Sequence, residues 1–366
     1  MKNDPTELTE KDYQDLALHE LSEAELFEEL NSLQKGFTTG RDQELSRYSH
    51  EQKKVSAYLQ FYTPTNIPKL HFLLNRITLE RRELWKNAPF IDFGAGPGTY
   101  TASWVSFYQN LKSEVSVVER GQAMREQAQK FLAGLFPDVS LNISSSVPAH
   151  FLNNDKSVLF FGHVLNEMNW SEIKKLIDGF KGQAVLWIEP GTPQAFELTN
   201  KLRRHLLEGE FEVLYPCQSS ALDCPAGNLS GEWCHQVIRT TWPEWIERRA
   251  QKLKIDRRTM PLIAHAYQRK KNQDPLEKDN HDQLKEGDVR QARIVRLKKE
   301  TKHSFEWDLC LTLGKDLKWQ SVSVMKRGLS KKEEKKISHM HTGEQLSFEL
   351  VKLLEQGLWR VKLVDP

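Results

Sequence analysis

The spacing of apolar residues predicts helices in the first quarter of the chain. Residues 7–33 place apolar side chains at three- and four-residue intervals, which is the period of an amphipathic helix. A second helical stretch, residues 55–62, is expected to end at Pro64, because proline removes a backbone donor and collides with the preceding turn. A third stretch covers residues 68–85. We therefore expect an N-terminal helical region over residues 1–86.

Short apolar runs, separated by helical spacing, begin at Pro89. They predict five strands, at residues 90–93, 115–119, 139–143, 157–161 and 184–188. Strands that alternate with helices form a parallel sheet with helices on its faces. The fold class predicted for residues 87–210 is therefore α/β, with a Rossmann-like doubly wound sheet.

The alternation of strands and helices stops after a predicted helix at residues 195–207. Residues 211–271 then contain a non-periodic stretch with three cysteines, followed by an apolar run at residues 262–267. We expect this run to return to the sheet, so that the cysteine-rich stretch before it is an insertion.

The last predicted part, residues 272–366, begins with a polar linker that reaches residue 286. Alternating apolar positions over residues 289–325 predict a small antiparallel β unit. Residues 329–366 are predicted to be mostly helical, with one final strand. This part contributes the fourth cysteine, Cys310.

The composition indicates a folded chain with an uneven charge distribution. The 366 residues are 39% apolar and carry a formal net charge of +2. Residues 1–34 hold ten Asp or Glu against two Lys, whereas residues 248–302 are rich in Arg and Lys. No apolar run approaches the roughly 20 residues that cross a bilayer, and the acidic start is unlike a signal or transit peptide. We therefore expect a cytoplasmic protein with an anionic partner and no membrane contact.

A glycine-rich turn follows the first predicted strand. Gly94-x-Gly96-x-Gly98 stands between a strand and a helix, where glycine lets the backbone approach a ligand closely. The third glycine comes one residue earlier than in the dinucleotide motif, and Asp92 precedes the first by two positions. This form, which has no pyrophosphate to hold, favours S-adenosylmethionine over NAD or a purely structural turn. Glu119, at the end of the second strand, is the predicted acceptor for the ribose hydroxyls.

The segment after the fourth strand is where such a domain would meet its substrate. His163, Asn166 and Glu167 lie there, at the sheet edge expected to face substrate or cofactor. A helix cap and a surface charge explain the same residues equally well. Because no recognisable catalytic motif occurs, no catalytic residue is predicted. The predicted cofactor-binding residues are Asp92, Gly94, Ala95, Gly96, Gly98, Glu119 and Asn166.

Three of the four cysteines lie within eighteen residues of one another. Cys217, Cys224 and Cys234 belong to the non-periodic stretch, and Cys310 lies on a predicted strand. Four cysteines in a chain of this length are too few for a disulfide scaffold. Four thiolates suit zinc or an iron–sulfur cluster, although the gaps lack the Cys-x-x-Cys pairs of zinc ribbons. Unligated core cysteines and a metal site are both open alternatives at this point.

Basic and aromatic residues are interleaved beyond the third cysteine. They are Arg248, Arg249, Lys252, Lys254, Arg257, Arg258, Arg269, Lys270 and Lys271, with Trp242, Trp245 and Tyr267. RNA phosphates and stacked bases would use such a surface. A solvated basic face without a partner explains the same pattern.

Five segments and the cysteine pattern together resemble a known family. The segments are residues 58–64, 92–99, 118–120, 164–168 and 188–193, of which the last reads Ile-Glu-Pro-Gly-Thr-Pro. The cysteines have the flanking residues Pro-Cys, Cys-Pro, Trp-Cys-His and Asp-Leu-Cys. Over roughly residues 48–327 the chain resembles the small-ribosomal-subunit-associated methyltransferase-like proteins of mitochondria and bacteria.

The resemblance implies a class I methyltransferase fold that binds S-adenosylmethionine. It also implies a four-iron–four-sulfur (4Fe–4S) cluster held by the four cysteines, with zinc as the alternative, and binding to small-subunit ribosomal RNA or the ribosome. Two functions follow, an enzyme that methylates ribosomal RNA or a non-catalytic iron–sulfur assembly factor that keeps the fold. A small-molecule methyltransferase, the third hypothesis, would leave the basic and cysteine-rich segments unexplained.

Overall fold

The computed structural model describes residues 4–39, 49–109, 111, 113–270 and 284–364. Most of the predicted linker therefore lies outside the described residues. The chain divides into two units. The first contains Met1–Glu189 and Ile238–Met260, and the second contains Pro190–Val237 and Pro261–Pro366. Within the described ranges, no helix combines the length and the apolar character needed to cross a bilayer.

Helices form the N-terminal part of the first unit, as predicted. They are α1 (Glu10–Asp15), α2 (Glu23–Thr39), α3 (Gln52–Leu74) and α4 (Leu79–Lys86), after a 3₁₀ turn at Pro5–Glu7. The predicted helix end at Pro64 is wrong, because α3 continues through both Pro64 and Pro68. Pro64 leaves the carbonyl of Gln60 without its helical donor, and Arg249 supplies a replacement at 2.8 Å. Burial of α3 and this side-chain donor offset the cost of the proline.

Replacing Arg249 should reveal how much this substitute hydrogen bond contributes. Arg249 is 3% exposed and also pairs with Glu10 at 2.6 Å, whereas Arg248 reaches the same carboxylate at 3.0 Å from an exposed position. We expect Arg249→Met to lower the free energy of unfolding by about 2–4 kcal/mol, since a buried carbonyl and a carboxylate lose their donor. The matched variant Arg248→Met should cost less than about 1 kcal/mol. Urea titrations measure both, and equal losses would contradict this role of Arg249.

A parallel sheet forms the centre of the first unit. Its strands are β1 (Phe90–Phe93), β2 (Val115–Val118), β3 (Leu141–Ser144), β4 (Val158–Gly162) and β5 (Ala184–Pro190). The connecting helices are α5 (Thr99–Tyr108), α6 (Gln122–Leu135), α7 (Ala149–Leu152) and α8 (Trp170–Gly179). The strands pair in parallel in the order β3-β2-β1-β4-β5. This confirms the predicted fold class, a class I methyltransferase-like α/β domain.

The strand order places a crevice at one edge of this sheet. From β1 the chain first adds β2 and β3 on one side, and then crosses to add β4 and β5 on the other. The loops that follow β1 and β4 therefore leave the sheet in opposite directions. Ligands of open α/β sheets bind at such a switch point, beyond the carboxyl ends of the strands.

The second unit begins with the segment that carries three of the cysteines. Its elements are α9 (Pro193–Glu208), β6 (Phe211–Tyr215), β7 (Gln236–Arg239) and β8 (Thr259–Arg269), whereas α10 (Glu244–Lys252) belongs to the first unit. β6 pairs with β8 in the antiparallel direction. The strand predicted at residues 262–267 is confirmed as part of β8.

The C-terminal part of the second unit is a closed barrel. Its elements are β9 (Val289–Glu300), β10 (Ser304–Leu313), β11 (Asp316–Met325), α11 (Lys331–Ser338), β12 (Gln345–Leu353) and β13 (Trp359–Val364). The closed order is β10-β11-β13-β12-β9, and only β11 and β13 are parallel. The prediction that residues 329–366 are mostly helical is wrong, because Leu346, Phe348 and Leu350 alternate into the barrel core. A five-stranded barrel with this order and a helix before its fourth strand matches the OB-fold.

Candidate cofactor site and cysteine cluster

The glycine-rich loop joins β1 to α5 in a conformation that requires glycine. Gly94, Gly96 and Gly98 have φ angles of +72°, +55° and +85°, which other residues rarely adopt. A Cβ on Gly94 would overlap Val164, so the loop passes against the segment that follows β4. A Cβ on Gly96 would meet no atom of the described structure within 4 Å. Gly96 therefore presents bare backbone to open space at the switch point, which is the cradle that a cofactor requires.

Two carboxylates flank this loop. Asp92 is fully buried, and its Oδ2 accepts a hydrogen bond from Thr101 at 2.8 Å, while its Oδ1 has no partner among the described residues. Burial raises the pKa of Asp92 to about 7, although the hydrogen bonds with Thr101 oppose this rise. Glu119 accepts hydrogen bonds from the N–H groups of Gly96 at 2.9 Å and Gly121 at 2.7 Å. Its carboxylate thus braces the loop and retains lone pairs for the predicted ribose hydroxyls.

The segment after β4 is held by a carboxylate that was not among the predicted site residues. Glu189 is fully buried near the end of β5. It accepts hydrogen bonds from the N–H of Leu165 and from Nδ2 of Asn166, both at 2.9 Å. The contact of Asn166 with a cofactor stays a prediction, and Glu167 is exposed. In the sequence, the feature that could have identified Glu189 as a site residue is its position in the Ile-Glu-Pro-Gly-Thr-Pro segment.

A basic pair lies beside this segment. Lys69 Nζ and His163 Nε2 are 3.0 Å apart, and His163 has a φ of +59°, which is strained for this residue type. Burial, assisted by the charge of Arg257, lowers the pKa of Lys69 to about 7. Burial and the charges of Lys69 and Arg257 lower the pKa of His163 well below its ordinary value. The sequence prediction included His163 but missed Lys69. The indication available for Lys69 was the presence of a lysine within a largely apolar helix.

The predicted basic surface is not one exposed face. Arg249 is buried against Glu10, and Lys252 pairs with Glu23 at 3.1 Å, so the acidic N-terminal helices neutralise α10. In the second unit Tyr267 is fully buried. Of the remaining predicted residues, Lys254, Arg258 and Lys270 are exposed, and Lys271 lies outside the described ranges. Arg249 and Tyr267 are therefore too buried to contact RNA, and an RNA surface formed by the exposed basic residues stays a prediction.

The four cysteines gather in the second unit. Cys217 and Cys310 pack in one buried cluster of side chains, Cys224 and Cys234 pack in another, and Trp319 contacts both clusters. No group of three or more His, Cys, Asp or Glu side chains in the described part of the chain is arranged to hold a metal ion. Burial, together with the neighbouring thiols, raises the pKa of Cys224 to about 12, and burial also raises that of Cys310. In the absence of a metal ion, these raised pKa values favour the protonated thiols, although Arg203 and Arg293 oppose the rise.

Two buried arginines face the cysteines, and neither forms an ion pair with a carboxylate of the described residues. Arg293 is 2% exposed and donates a hydrogen bond to Cys234 Sγ, while its Nε and Nη1 lack partners. Arg203 is 1% exposed and donates to the carbonyls of Ala221 and Leu222, while its Nε lacks a partner. An uncompensated buried charge costs of the order of several kcal/mol. Four thiolates beside these arginines would supply the missing negative charge.

Comparison with known proteins identifies the family. The sequence profile of the family described as mitochondrial small ribosomal subunit Rsm22 matches residues 52–339, which is most of the chain. The chain belongs to this family. The Rsm22 match contains the glycine-rich loop and all four cysteines, and it leaves α1, α2, β12 and β13 outside. The family resemblance found in the sequence is thereby confirmed, whereas the iron–sulfur type stays a prediction. No curated protein sequence matches the chain.

Several solved methyltransferase structures are similar to this Rsm22-family chain. A putative RNA methyltransferase from Pyrococcus horikoshii matches 61% of this chain and 90% of its own, at 12% identity and a TM-score of 0.33. The 16S rRNA methylase ArmA matches 66% and 97%, at 10% identity and a TM-score of 0.35. Magnesium protoporphyrin IX methyltransferase (ChlM) from Synechocystis, with bound SAM, matches 66% and 97%, at 10% identity and a TM-score of 0.37. The fold assignment rests on the strand order of the sheet and not on these TM-scores.

Proposed function

We propose that this chain is a methyltransferase-like protein that binds S-adenosylmethionine and acts on the small ribosomal subunit or its RNA. The observation that carries the proposal is the open glycine cradle at Gly96, in a chain of the Rsm22 family. The family description supports the ribosomal partner. The residues proposed to bind the cofactor are Asp92, Gly94, Ala95, Gly96, Gly98, Glu119 and Asn166.

The side chains at the loop would position the cofactor. Glu119 would accept hydrogen bonds from the ribose hydroxyls, and Asp92 Oδ1, which is buried without a partner, would accept one further hydrogen bond. The bound cofactor supplies a methyl group that its sulfonium already activates. The contribution of the protein is therefore mainly orientation and the exclusion of water.

The alternative is a non-catalytic assembly factor that retains the fold. The observation that favours it is the segment after β4, where the polar side chains bind one another. Asn166 is hydrogen-bonded to Glu189, and His163 lies against Lys69. No motif in this segment names a nucleophile or a base, so catalytic residues are not assigned in either version of the proposal.

We also propose that Cys217, Cys224, Cys234 and Cys310 hold a 4Fe–4S cluster, with zinc as the alternative. The support is the pair of buried arginines, Arg203 and Arg293, which need negative charge beside them. Bound metal keeps the sulfurs as thiolates, and it would tie the cysteine segment to β10. The cluster therefore contributes to folding of the second unit as well as to its charge balance.

RNA of the small subunit is the proposed macromolecular partner. The barrel of the second unit supports this by analogy, because OB-folds in other proteins bind oligonucleotides. The residues on the barrel that would contact RNA are not assigned. The cytoplasmic location expected from the sequence stays a prediction, which fractionation of cells would test.

Crosslinking in cells tests the ribosomal part of the proposal. We expect RNA crosslinked to the tagged chain to be enriched in fragments of small-subunit ribosomal RNA, because the family is described as a mitochondrial small-ribosomal-subunit family. An untagged strain is the control, and absence of enrichment over it would contradict the proposal. Mapping of methylated nucleotides in cells with and without the chain then separates the two versions. A methylation that disappears with the chain supports the enzyme, and an unchanged map supports the assembly factor.

A further inference from the structure

One face of α3 carries polar side chains although it is buried. Tyr58, Tyr62, Asn66 and Lys69 follow one another at intervals of four, four and three residues, so they share a helix face. Asn66 is 4% exposed and Lys69 is 5% exposed. Buried polar groups are retained where they find partners or bind a ligand. This face therefore forms one side of a buried group of polar side chains in the first unit, which we call the polar pocket.

The opposite side is basic and aromatic. His163 lies 3.0 Å from Lys69, and the ring centroid of Tyr100 is 6.0 Å from that of His163. The Arg257 guanidinium lies 5.1 Å from the ring centroid of Tyr62. Tyr100 Oη and Arg257 Nε are buried and have no hydrogen-bond partner within the described ranges. Two donors thus lack an acceptor in the same pocket.

The carboxylate that acts on Lys69 is engaged in other hydrogen bonds. Arg257 and Glu189 act on Lys69, and Lys69 and Arg257 in turn act on His163. Glu189 already accepts hydrogen bonds from the segment after β4. Two further carboxylates act on the tyrosines of this group, Glu167 on Tyr58 and Asp92 on Tyr100. An incoming negative group would give the buried donors of Tyr100 and Arg257 an acceptor, and it would favour the charged form of Lys69.

We propose that Lys69 and Arg257 bind an oxyanion, and that His163 orients Lys69 for this contact. Two groups are candidates for this oxyanion. One is the carboxylate at the methionine end of the cofactor, and the other is a phosphate of a nucleotide acceptor. The pocket adjoins the glycine-rich loop, since the segment that contains His163 contacts Gly94 through Val164. The inference deepens the proposed function and rests on its cofactor site.

Binding of an oxyanion is coupled to a proton. Burial holds the pKa of Lys69 near 7 in the free protein, and a bound anion favours the charged amine. Above a pH of about 7 the oxyanion must therefore bring a proton with it. Its affinity should be constant below this pH and should fall by up to about tenfold per pH unit above it. Neutral ligands of the same shape should show no such dependence.

Calorimetry with four probes and two variants tests the proposal. S-adenosylhomocysteine carries the carboxylate, and 5′-methylthioadenosine is its neutral counterpart. Adenosine monophosphate carries a phosphate, and adenosine is its neutral counterpart. Lys69→Met should weaken one oxyanion probe by at least about tenfold and leave its neutral counterpart unchanged. Lys53→Met, an exposed lysine of the same helix, is the matched control and should change neither.

The outcomes separate the two sources and the two proposals. Loss confined to S-adenosylhomocysteine identifies the cofactor carboxylate, and loss confined to adenosine monophosphate identifies a phosphate. Equal affinities of Lys69→Met and the wild type for all probes, or equal losses for charged and neutral probes, would overturn the oxyanion pocket. If the wild-type protein binds neither S-adenosylhomocysteine nor 5′-methylthioadenosine, the cofactor proposal is refuted. The comparison of adenosine monophosphate with adenosine then tests the oxyanion pocket on its own. Wild-type protein that binds none of the four probes refutes both.

Folding of the variant is monitored in parallel. Lys69→Met removes a buried charge and keeps most of the side-chain volume, so its thermal unfolding should not fall below that of the wild type. Arg257→Met is the second variant and should weaken the same probe as Lys69→Met. If the two variants affect different probes, the shared pocket is wrong.

Discussion

Asp92→Asn is expected to stabilise the free protein at neutral pH and to weaken its binding of S-adenosylhomocysteine by at least about tenfold. The carboxyl group is fully buried at the glycine-rich loop, and only one of its oxygens has a donor. Asparagine would keep the hydrogen bond from Thr101 through its carbonyl. It would place two N–H donors where Asp92 Oδ1 now offers a vacant acceptor, so the cofactor would lose a hydrogen bond while the fold loses a buried charge.

The stabilisation should depend on pH in a defined direction. The pKa of Asp92 in the folded protein, about 7, lies above its ordinary value of 3.8, so the folded state holds this proton more tightly than the unfolded state. The stability that the protonated carboxyl contributes is complete below a pH of about 4 and is lost as the pH rises to about 7. Asp92→Asn cannot ionise and avoids this loss. Its advantage in free energy of unfolding should grow from near zero at pH 4 to about 2–4 kcal/mol at pH 8.

Urea titrations at pH 4 and pH 8, with calorimetry of S-adenosylhomocysteine at pH 8, measure both effects. Asp155→Asn, an exposed carboxylate of the same unit, is the control and should stay within about 0.5 kcal/mol of the wild type at both values. A variant that is stabilised but binds the cofactor product normally would remove Asp92 from the proposed site. A variant that is destabilised at pH 8 would contradict the raised pKa.

Arg293→Met is expected to act in opposite directions on the metal-free and the metal-loaded protein. In the metal-free chain it removes a buried guanidinium that has no carboxylate partner among the described residues, which should raise the free energy of unfolding by about 1–4 kcal/mol. In the loaded chain it removes the hydrogen bond to Cys234 and the charge that balances the thiolates. We therefore expect the variant to release its iron at least about tenfold faster in the presence of a chelator.

Cys310→Ser isolates the contribution of the metal itself. We expect this variant to retain little iron and to lose several kcal/mol of stability relative to loaded wild type, since the proposed metal would tie β10 to the cysteine segment. Iron, sulfide and zinc contents, visible absorption and thermal unfolding are measured on protein purified without oxygen. Arg204→Met replaces an exposed arginine next to Arg203. It is the control for Arg293→Met and should resemble the wild type. Colourless wild-type protein with stoichiometric zinc would refute the cluster, and a destabilised metal-free Arg293→Met would refute the charge argument.

Tertiary contacts override local preferences at several places in this chain. Proline predicts a helix end at Pro64, yet Arg249, distant in sequence, supplies the donor that the proline removes. Basic spacing predicts that Arg249 is part of an exposed basic surface, yet Arg249 is buried and paired with Glu10. The prediction for residues 329–366 is mostly helix, yet β12 pairs with β9 and β13 pairs with β11, and these pairings close the barrel. Each error concerns a partner that lies outside any local window.

The sequence alone is enough to recognise the α/β order of the first unit, the glycine-rich loop with Asp92 and Glu119, the four cysteines and the family. Strand and helix periods, and the positive φ angles that only glycine adopts readily, act within a few residues and are therefore visible in the chain. Two other features arise only in the folded chain. Lys69 contacts His163 across 94 positions, and Arg293 is buried beside Cys234 with no carboxylate among the described residues to balance its charge. The energy of such pairs depends on burial and on the distance between charges, and neither quantity exists until the chain has folded.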